Sequence, residues 1–322
     1  MVNFYLLIVV ALPLSQAIQL FLTNDDGWDD INIRTFFTYM ARYDHELMLC
    51  SPKISHEISR LMPPRQAPEE RPVLKREWNP NSDPRRVQKH REQWHAGFDA
   101  SDIRLNNVPF DPLRAVRECT ANLSSVLYKD CRPNGVNCGS PRLVLGGPKV
   151  GNSLGYEQGR DRVLNAFRRS PDSIVPASIA FAGYNDRFAP HRELSSKIYG
   201  ELASWITQHV IMSGYPNGPY LPRDSHLHVN FPAVTRERCN RFSDFKFILT
   251  TNGDRIRNLR SRSICGSIYL PLDTEVIHRK DGCYVSMSLL SLHDRSRGPT
   301  MSDHITLKGK LRSFINCLPR TS

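Results

Sequence analysis

Five short apolar segments along the chain have the composition of β-strands. They are mostly continuous rather than alternating, which is typical of strands that are buried on both faces of a sheet. The segments are IQLFLT (18–23), ELMLCS (46–51), RLVLGG (142–147), ASIAFAG (177–183) and LHVNFP (227–232).

Helical periodicity occupies two of the intervals between these segments. Ile33, Phe36, Phe37 and Met40 recur at helical spacing between the first two strands. A second helix is predicted before the last strand, and it ends at Gly214. Its apolar series is Leu194, Ile198, Leu202, Trp205 and His209. Strand, helix and strand in this order predict an α/β fold with a parallel sheet.

The end of the chain has a different pattern. In TEVIHRKDGCYVSMSLLSL, two β-rich runs flank Asp281 and Gly282, which predicts a β-hairpin. A closing helix before Pro319 is predicted from Ile305, Leu307, Leu311 and Ile315. We therefore expect residues 265–322 to form a hairpin and a helix that extend from the sheet.

Residues 60–95 interrupt the alternation of strands and helices. This stretch is basic, contains repeated prolines and has no hydrophobic periodicity. Such a composition does not supply a core, so it predicts an exposed insertion.

The first residues have the pattern of a secretory signal peptide. An uncharged apolar stretch is followed by Ser15-Gln16-Ala17, which predicts cleavage after Ala17. Residues 1–17 are then the signal peptide, and residues 18–322 form the secreted mature domain. The apolar stretch is about half of the roughly 20 residues that a membrane-spanning helix needs, so no membrane anchor is expected.

Eight cysteines agree with an oxidising compartment. Because no CxxC pair occurs, disulfides are favoured over a zinc site. The sequence selects none of roughly 105 connectivities, and a free buried thiol at Cys50 is one alternative. The sequon Asn122-Leu-Ser124 makes a secreted form a candidate glycoprotein.

Two adjacent carboxylates follow the first predicted strand. Asp25 and Asp26 stand at its carboxyl end and before a helix, where open α/β sheets place ligand sites. Adjacent carboxylates repel each other, and a hard cation such as Mg²⁺ or Mn²⁺ relieves that repulsion. The alternative is turn chemistry alone, with Asp29 or Asp30 capping the helix.

The segment NDDGWDDINIR resembles the opening of the SurE family of phosphatases and nucleotidases, especially its fungal secreted acid-phosphatase members. LVLGGPKVGNSLG resembles the family segment LVVSGPNVGSNLG, and ASIAFAG, LHVNFP and GCYVSMSLL with NCLP resemble later segments in the same order. The resemblance implies a Rossmann-like, three-layer α/β fold with a C-terminal hairpin and helix extension. It also implies a homodimer formed through that extension and a metal-dependent phosphomonoesterase reaction on phosphomonoesters or on 5′- or 3′-nucleotides.

The resemblance assigns a role to individual residues. Asp25 and Asp26 carry over as catalytic metal ligands, and the family's ligating serine falls on Glu57. Substrate contacts are expected at Asn24, Gly27, Lys149, Asn152 and Ser153.

The chain departs from the family pattern at two places. Lys149 stands where the family has a ligating asparagine, and a protonated ammonium cannot coordinate a metal. The family's phosphate-binding segment is unrecognisable in YEQGRDRVLNAF (156–167). Two outcomes stay open: a hydrolase with an altered site, and a secreted homologue that has lost catalysis.

Two other functions are motivated by separate features. GNSLG (151–155) matches the GxSxG nucleophile elbow of serine esterases, although residues 148–150 separate Ser153 from the predicted strand. The net charge of +11, with basic clusters in 85–91 and 255–262, favours a protein that binds anionic ligands without catalysis. No RRM, KH or zinc-finger signature accompanies the charge, so specific nucleic-acid recognition is not expected.

Overall fold

A computed structural model describes most of the chain. The described residues are 17–53, 97–109, 111–122, 141–155, 161–170, 175–214, 218–222, 224–253, 265, 269–291 and 299–319. The predictions for Glu57, for the insertion at 60–95 and for residues 1–16 of the signal peptide lie outside these residues.

Ten strands and six α-helices are present in the described part of the chain. The strands are β1 (Gln19–Thr23), β2 (Glu46–Pro52), β3 (Gly97–Asp99), β4 (Asp102–Val108), β5 (Leu143–Val150), β6 (Ser178–Gly183), β7 (Ser225–Phe231), β8 (Phe245–Thr250), β9 (Cys283–Ser291) and β10 (Ile315–Asn316). The helices are α1 (Ile31–Met40), α2 (Pro112–Asn122), α3 (Arg162–Arg169), α4 (Arg192–Ser213), α5 (Asp273–Ile277) and α6 (Met301–Lys310).

All ten strands belong to one sheet, in the order β10-β8-β9-β7-β6-β5-β1-β2-β4-β3. Neighbouring strands are parallel except for the pairs β3–β4 and β7–β9. The predicted α/β fold with a mostly parallel sheet is therefore confirmed. The five predicted strands correspond to β1, β2, β5, β6 and β7, and the two predicted helices to α1 and α4.

Helices cover both faces of the sheet, which gives the three layers. On one face, α1 and α4 pack through a large cluster that includes Ile33, Phe36 and Leu202. On the other face, α2 and α3 pack against Phe21 and Val144 in a second cluster. Successive residues of β1 thus enter different cores, which explains why its sequence is continuously apolar.

The predicted C-terminal hairpin is wrong. Residues 273–277 form α5 instead of a strand, because the Glu275 carboxylate accepts a hydrogen bond from the Leu272 N–H and Val276 and Ile277 are buried. β9 lies between β7 and β8 within the sheet rather than in an extension.

The predicted closing helix is present as α6, with Leu307 and Leu311 buried against the first core. Ile305 is 46% exposed. Ile315 lies outside the helix and pairs with β8 in the sheet.

Three disulfides link described cysteines: Cys50–Cys119, Cys239–Cys283 and Cys265–Cys317. The free-thiol alternative for Cys50 is therefore wrong, and its bond to Cys119 fastens α2 to β2. Within the described ranges, no helix is both long and apolar enough to cross a membrane.

Candidate functional site

Asp25 and Asp26 lie at the topological switch point of the sheet. They follow β1, which pairs with β2 on one side and with β5 on the other. The carboxyl ends of β1, β5 and β6 therefore meet beside the two carboxylates. Open α/β sheets form their ligand crevices at such points.

Asp26 is held by donors from two other parts of the chain. Its Oδ2 atom accepts a hydrogen bond from the Val150 N–H at 2.7 Å. Its Oδ1 atom accepts one from Nη2 of Arg187 at 3.0 Å, and its main-chain oxygen accepts a second from the same atom at 3.3 Å. Burial, followed by the charges of Asp25 and Asp30, raises the pKa of Asp26 to about 7.

Asp25 keeps an acceptor open. Its Oδ1 atom is buried and has no hydrogen-bond partner in the described part of the chain. Burial, followed by the charge of Asp161, raises the pKa of Asp25 to about 6, although Lys149 opposes this rise. The nearby positive charges are thus too weak to hold the pKa of either carboxyl group in the ordinary range for aspartate.

A β-bulge in β5 directs Lys149 toward the site. The register with β6 shifts between Gly146 and Lys149, so Lys149 pairs with Ala182 and lies on the same face as Gly146. Gly147 makes the bulge feasible because its φ is +81° and a Cβ atom there would lie 2.2 Å from the Phe181 carbonyl oxygen.

Lys149 meets a third carboxylate on that face. Its Nζ atom lies 3.3 Å from Oδ2 of Asp161, which caps α3 by accepting from the Leu164 N–H at 3.0 Å. Burial alone would lower the pKa of Lys149, but the carboxylates of Asp161, Asp25 and Asp26 raise it. Lys149 therefore stays protonated and is not a metal ligand.

Ser153 also belongs to this network. Its hydroxyl donates to Oδ2 of Asp161 at 2.7 Å, and its N–H donates to Oδ1 of Asn230 at 3.0 Å. The side chain is buried and its hydroxyl is directed to a carboxylate rather than to a histidine. This arrangement positions the loop after β5 and does not form a nucleophile elbow.

Two arginines, one in the loop after β6 and one at the start of α4, contact the carboxylates. Nη1 of Arg187 lies 3.4 Å from Oδ2 of Asp30, and Nη2 of Arg192 lies 2.5 Å from the same oxygen. Asp30 also caps α1 through the Asn32 N–H, so the helix-capping part of the turn alternative is confirmed.

The other predicted site residues surround the pair. Both amide atoms of Asn24 and Oδ1 of Asn152 are buried and lack partners among the described residues. Gly27 is buried with φ of +106° in the turn after Asp26. The structure therefore brings Asn24, Gly27, Lys149, Asn152 and Ser153 to one edge of the sheet.

Asp161, Arg187 and Arg192 are site residues that the sequence analysis missed. Arg187 has a usable signal, since it follows the predicted strand ASIAFAG by four residues and so lies at the same sheet edge. Asp161 and Arg192 have no comparable signal, because neither follows a predicted strand at this edge of the sheet.

The donor set fits a hard cation only at Asp25. Within the described ranges, no group of three His, Cys, Asp or Glu side chains could hold a metal ion. The buried, unpartnered Oδ1 atom of Asp25 is an oxygen donor of the type that Mg²⁺ and Mn²⁺ prefer. Asp26 is already engaged by Arg187, and Glu57 lies outside the described residues.

Solved structures that are similar to this chain include a SurE protein. No family model and no curated protein sequence matches this chain. One of the similar solved structures is the crystal structure of the SurE protein from Aquifex aeolicus. The structural alignment covers 90% of this chain and 98% of the SurE chain, with a TM-score of 0.49 and 16% sequence identity. The mostly parallel, three-layer α/β architecture that the SurE resemblance implies is the fold that this chain adopts.

Proposed function

We propose that this protein is a metal-dependent phosphomonoester hydrolase of the acid phosphatase or 5′(3′)-nucleotidase type, with its active site at Asp25 and Asp26. The observation that carries the proposal is a pair of adjacent carboxylates at the switch point of the sheet, with Oδ1 of Asp25 buried and lacking a partner among the described atoms.

Asp25, supported by Asp26, would hold the divalent ion. When bound, such an ion polarises a phosphoryl oxygen and lowers the pKa of a bound water. The Val150 N–H and Arg187 fix the orientation of the Asp26 carboxylate.

Lys149 supplies positive charge for the substrate. Its side chain retains 19% exposure at the crevice, and one contact at 3.3 Å to Asp161 leaves donor capacity on the ammonium. Lysine is a common phosphate-binding residue because its charge is compact and its donors rotate. Gly27 lies in the turn at the same edge, and we expect its main-chain N–H to contact the phosphate.

The test is hydrolysis of p-nitrophenyl phosphate and of 5′- and 3′-nucleotides by the full-length secreted protein. Turnover is measured with Mg²⁺, with Mn²⁺ and with EDTA, for the wild type and for Asp25→Asn and Asp26→Asn. Asp29→Asn is the matched control, because Asp29 is an exposed carboxylate of the same loop. We expect metal-dependent turnover that both site variants lose and the control retains. Equal turnover in EDTA would reject the metal, and retained activity in both site variants would reject the site.

A non-catalytic anion-binding homologue is the second candidate. It is motivated by the net charge of +11, which attracts anionic ligands. The basic clusters at 85–91 and 255–262 lie outside the described residues. Absence of turnover from folded protein, together with salt-dependent retention on heparin, would favour this candidate over the hydrolase.

Secretion and dimerisation complete the proposal. The three disulfides agree with an oxidising compartment, and we propose that the mature chain is secreted after cleavage behind Ala17. Mass spectrometry of the exported protein measures that cleavage site. The family resemblance also favours a homodimer, and light scattering that gives a monomer mass would remove it.

A further inference from the structure

Arg187 fills the coordination space of Asp26. All three oxygen atoms of Asp26 accept hydrogen bonds from protein donors: Oδ1 and the main-chain oxygen from Arg187, and Oδ2 from the Val150 N–H. A divalent ion that binds this carboxylate has to compete with a guanidinium that is already in contact with it.

The position of Arg187 is fixed by further contacts. Its Nη1 atom lies 3.4 Å from Asp30, and its main-chain oxygen accepts from Nη1 of Arg192 at 3.0 Å. Its side chain is only 18% exposed, so the ion pair with Asp26 is largely withdrawn from solvent. An ion pair of this kind is screened much less than a pair on an open surface.

Lys149 adds a second positive charge near the pair. It contacts Asp161 at 3.3 Å and interacts electrostatically with Asp25 and Asp26. Two cations of the protein thus lie near the carboxylates that the proposed function assigns to a metal.

We propose that Arg187 and Lys149 are internal competitors of the divalent ion. Arg187 occupies the cation position at Asp26, and the pair binds a metal jointly only when the guanidinium moves away. Lys149 lowers metal affinity by charge repulsion. This inference rests on the proposed function, because it concerns the metal site of that hydrolase. Two residues that do not ligate the metal would therefore set the affinity of the site for a divalent ion.

Direct Mn²⁺ binding tests the inference without an activity readout. Calorimetric titration of the full-length protein compares the wild type with Arg187→Met and with the matched control Arg192→Met. Both variants remove one arginine from the same network, but only Arg187 contacts Asp26. We expect Mn²⁺ to bind Arg187→Met about tenfold or more tightly than the wild type, and Arg192→Met to stay within about threefold.

Lys149→Asn provides a second variant that does not disturb the arginine network. It removes the charge and adds an amide oxygen, so Mn²⁺ affinity should rise again by about tenfold. Unchanged affinity in both Arg187→Met and Lys149→Asn, with wild-type binding intact, overturns the inference and leaves the proposed function standing. If these variants bind Mn²⁺ and the wild type does not, the inference is supported, and the proposal that the native protein uses a bound metal is rejected. No binding by any variant overturns both.

Discussion

Nη2 of Arg187 donates a hydrogen bond to Oδ1 of Asp26 at 3.0 Å, across 161 residues of sequence. This contact joins the loop after β6 to the loop after β1, and it places a fixed cation on one member of an adjacent carboxylate pair. The chemistry of the site depends on the balance between these carboxylates and the cations of the protein.

Asp25→Asn is expected to stabilise the metal-free protein at neutral pH. Burial raises the pKa of Asp25 from 3.8 to about 6, so between these values the folded state holds a proton that the unfolded state has lost. Wild-type stability therefore falls as pH rises from about 4 to 6, and the variant lacks this loss. The expected gain at pH 7 is about 3 kcal/mol.

Denaturant unfolding at pH 4, 5.5 and 7 in EDTA measures this effect. The difference between Asp25→Asn and the wild type should be small at pH 4 and largest at pH 7, whereas Asp29→Asn should show no such trend. If the variant is less stable than the wild type at pH 7, burial of the ionised Asp25 carboxylate does not destabilise the folded state.

His228→Asn is expected to reduce sensitivity to acid. His228 is fully buried on β7, Nε2 has no partner among the described atoms, and burial lowers its pKa to about 4. Since the unfolded imidazole binds a proton below about pH 6.5, folding stability is lost as pH falls from there toward 4. The loss for one such histidine is about 1 kcal/mol per pH unit.

The measurement is the denaturant midpoint of His228→Asn and the wild type between pH 7 and 4.5. The advantage of the variant should grow toward the acid end. The control is His191→Asn, because His191 is exposed and asparagine tolerates its φ of 62°. A constant difference across the pH range would show that His228 does not titrate with unfolding.

Gly147→Ala is expected to disrupt the bulge that presents Lys149. Residue 147 has a positive φ, which disfavours alanine. In addition, the new Cβ would lie 2.2 Å from the Phe181 carbonyl oxygen, so the backbone must shift. We expect a loss of about 2 kcal/mol or more in unfolding free energy. Gly151→Ala is the matched control, because its φ is +77° but nothing lies within 4 Å of its Cβ position, and its loss should be near 1 kcal/mol. Equal losses in the two variants would contradict the steric argument.

The fold was predictable where hydrophobicity alone determines structure. β1, β5 and β6 are buried on both faces, so their apolar runs carry the signal. β8 (FKFILT) was not predicted, and Lys246 interrupts its apolar run. β4 is different, because its residues DIRLNNV include a buried Asn106 whose Nδ2 donates to the Leu49 carbonyl oxygen. That partner lies on β2, so the cost of burying the amide is met by a contact that the local sequence does not encode.

The site was predictable only in its anchoring residues. Asp25 and Asp26 carry both a location signal and a family motif, whereas Arg187 reaches Asp26 through the three-dimensional arrangement of β1 and β6. Asp161 lies in a segment where the family pattern is unrecognisable, yet it fixes Lys149 and Ser153 through one carboxylate oxygen. Charge pairing of this type needs the sheet order and the bulge in β5, and neither follows from local sequence.

The proposed metal site is tested most directly by the ratio of kcat/KM for p-nitrophenyl phosphate between the wild type and Asp25→Asn, with Mn²⁺ present and both proteins shown to be folded. We expect measurable wild-type turnover that EDTA removes. We also expect a loss of about a hundredfold or more in the variant, because loss of outer-shell partners alone costs about 10- to 100-fold. Turnover that survives both EDTA and Asp25→Asn would contradict the assignment of this carboxylate pair as a metal-dependent phosphomonoesterase site.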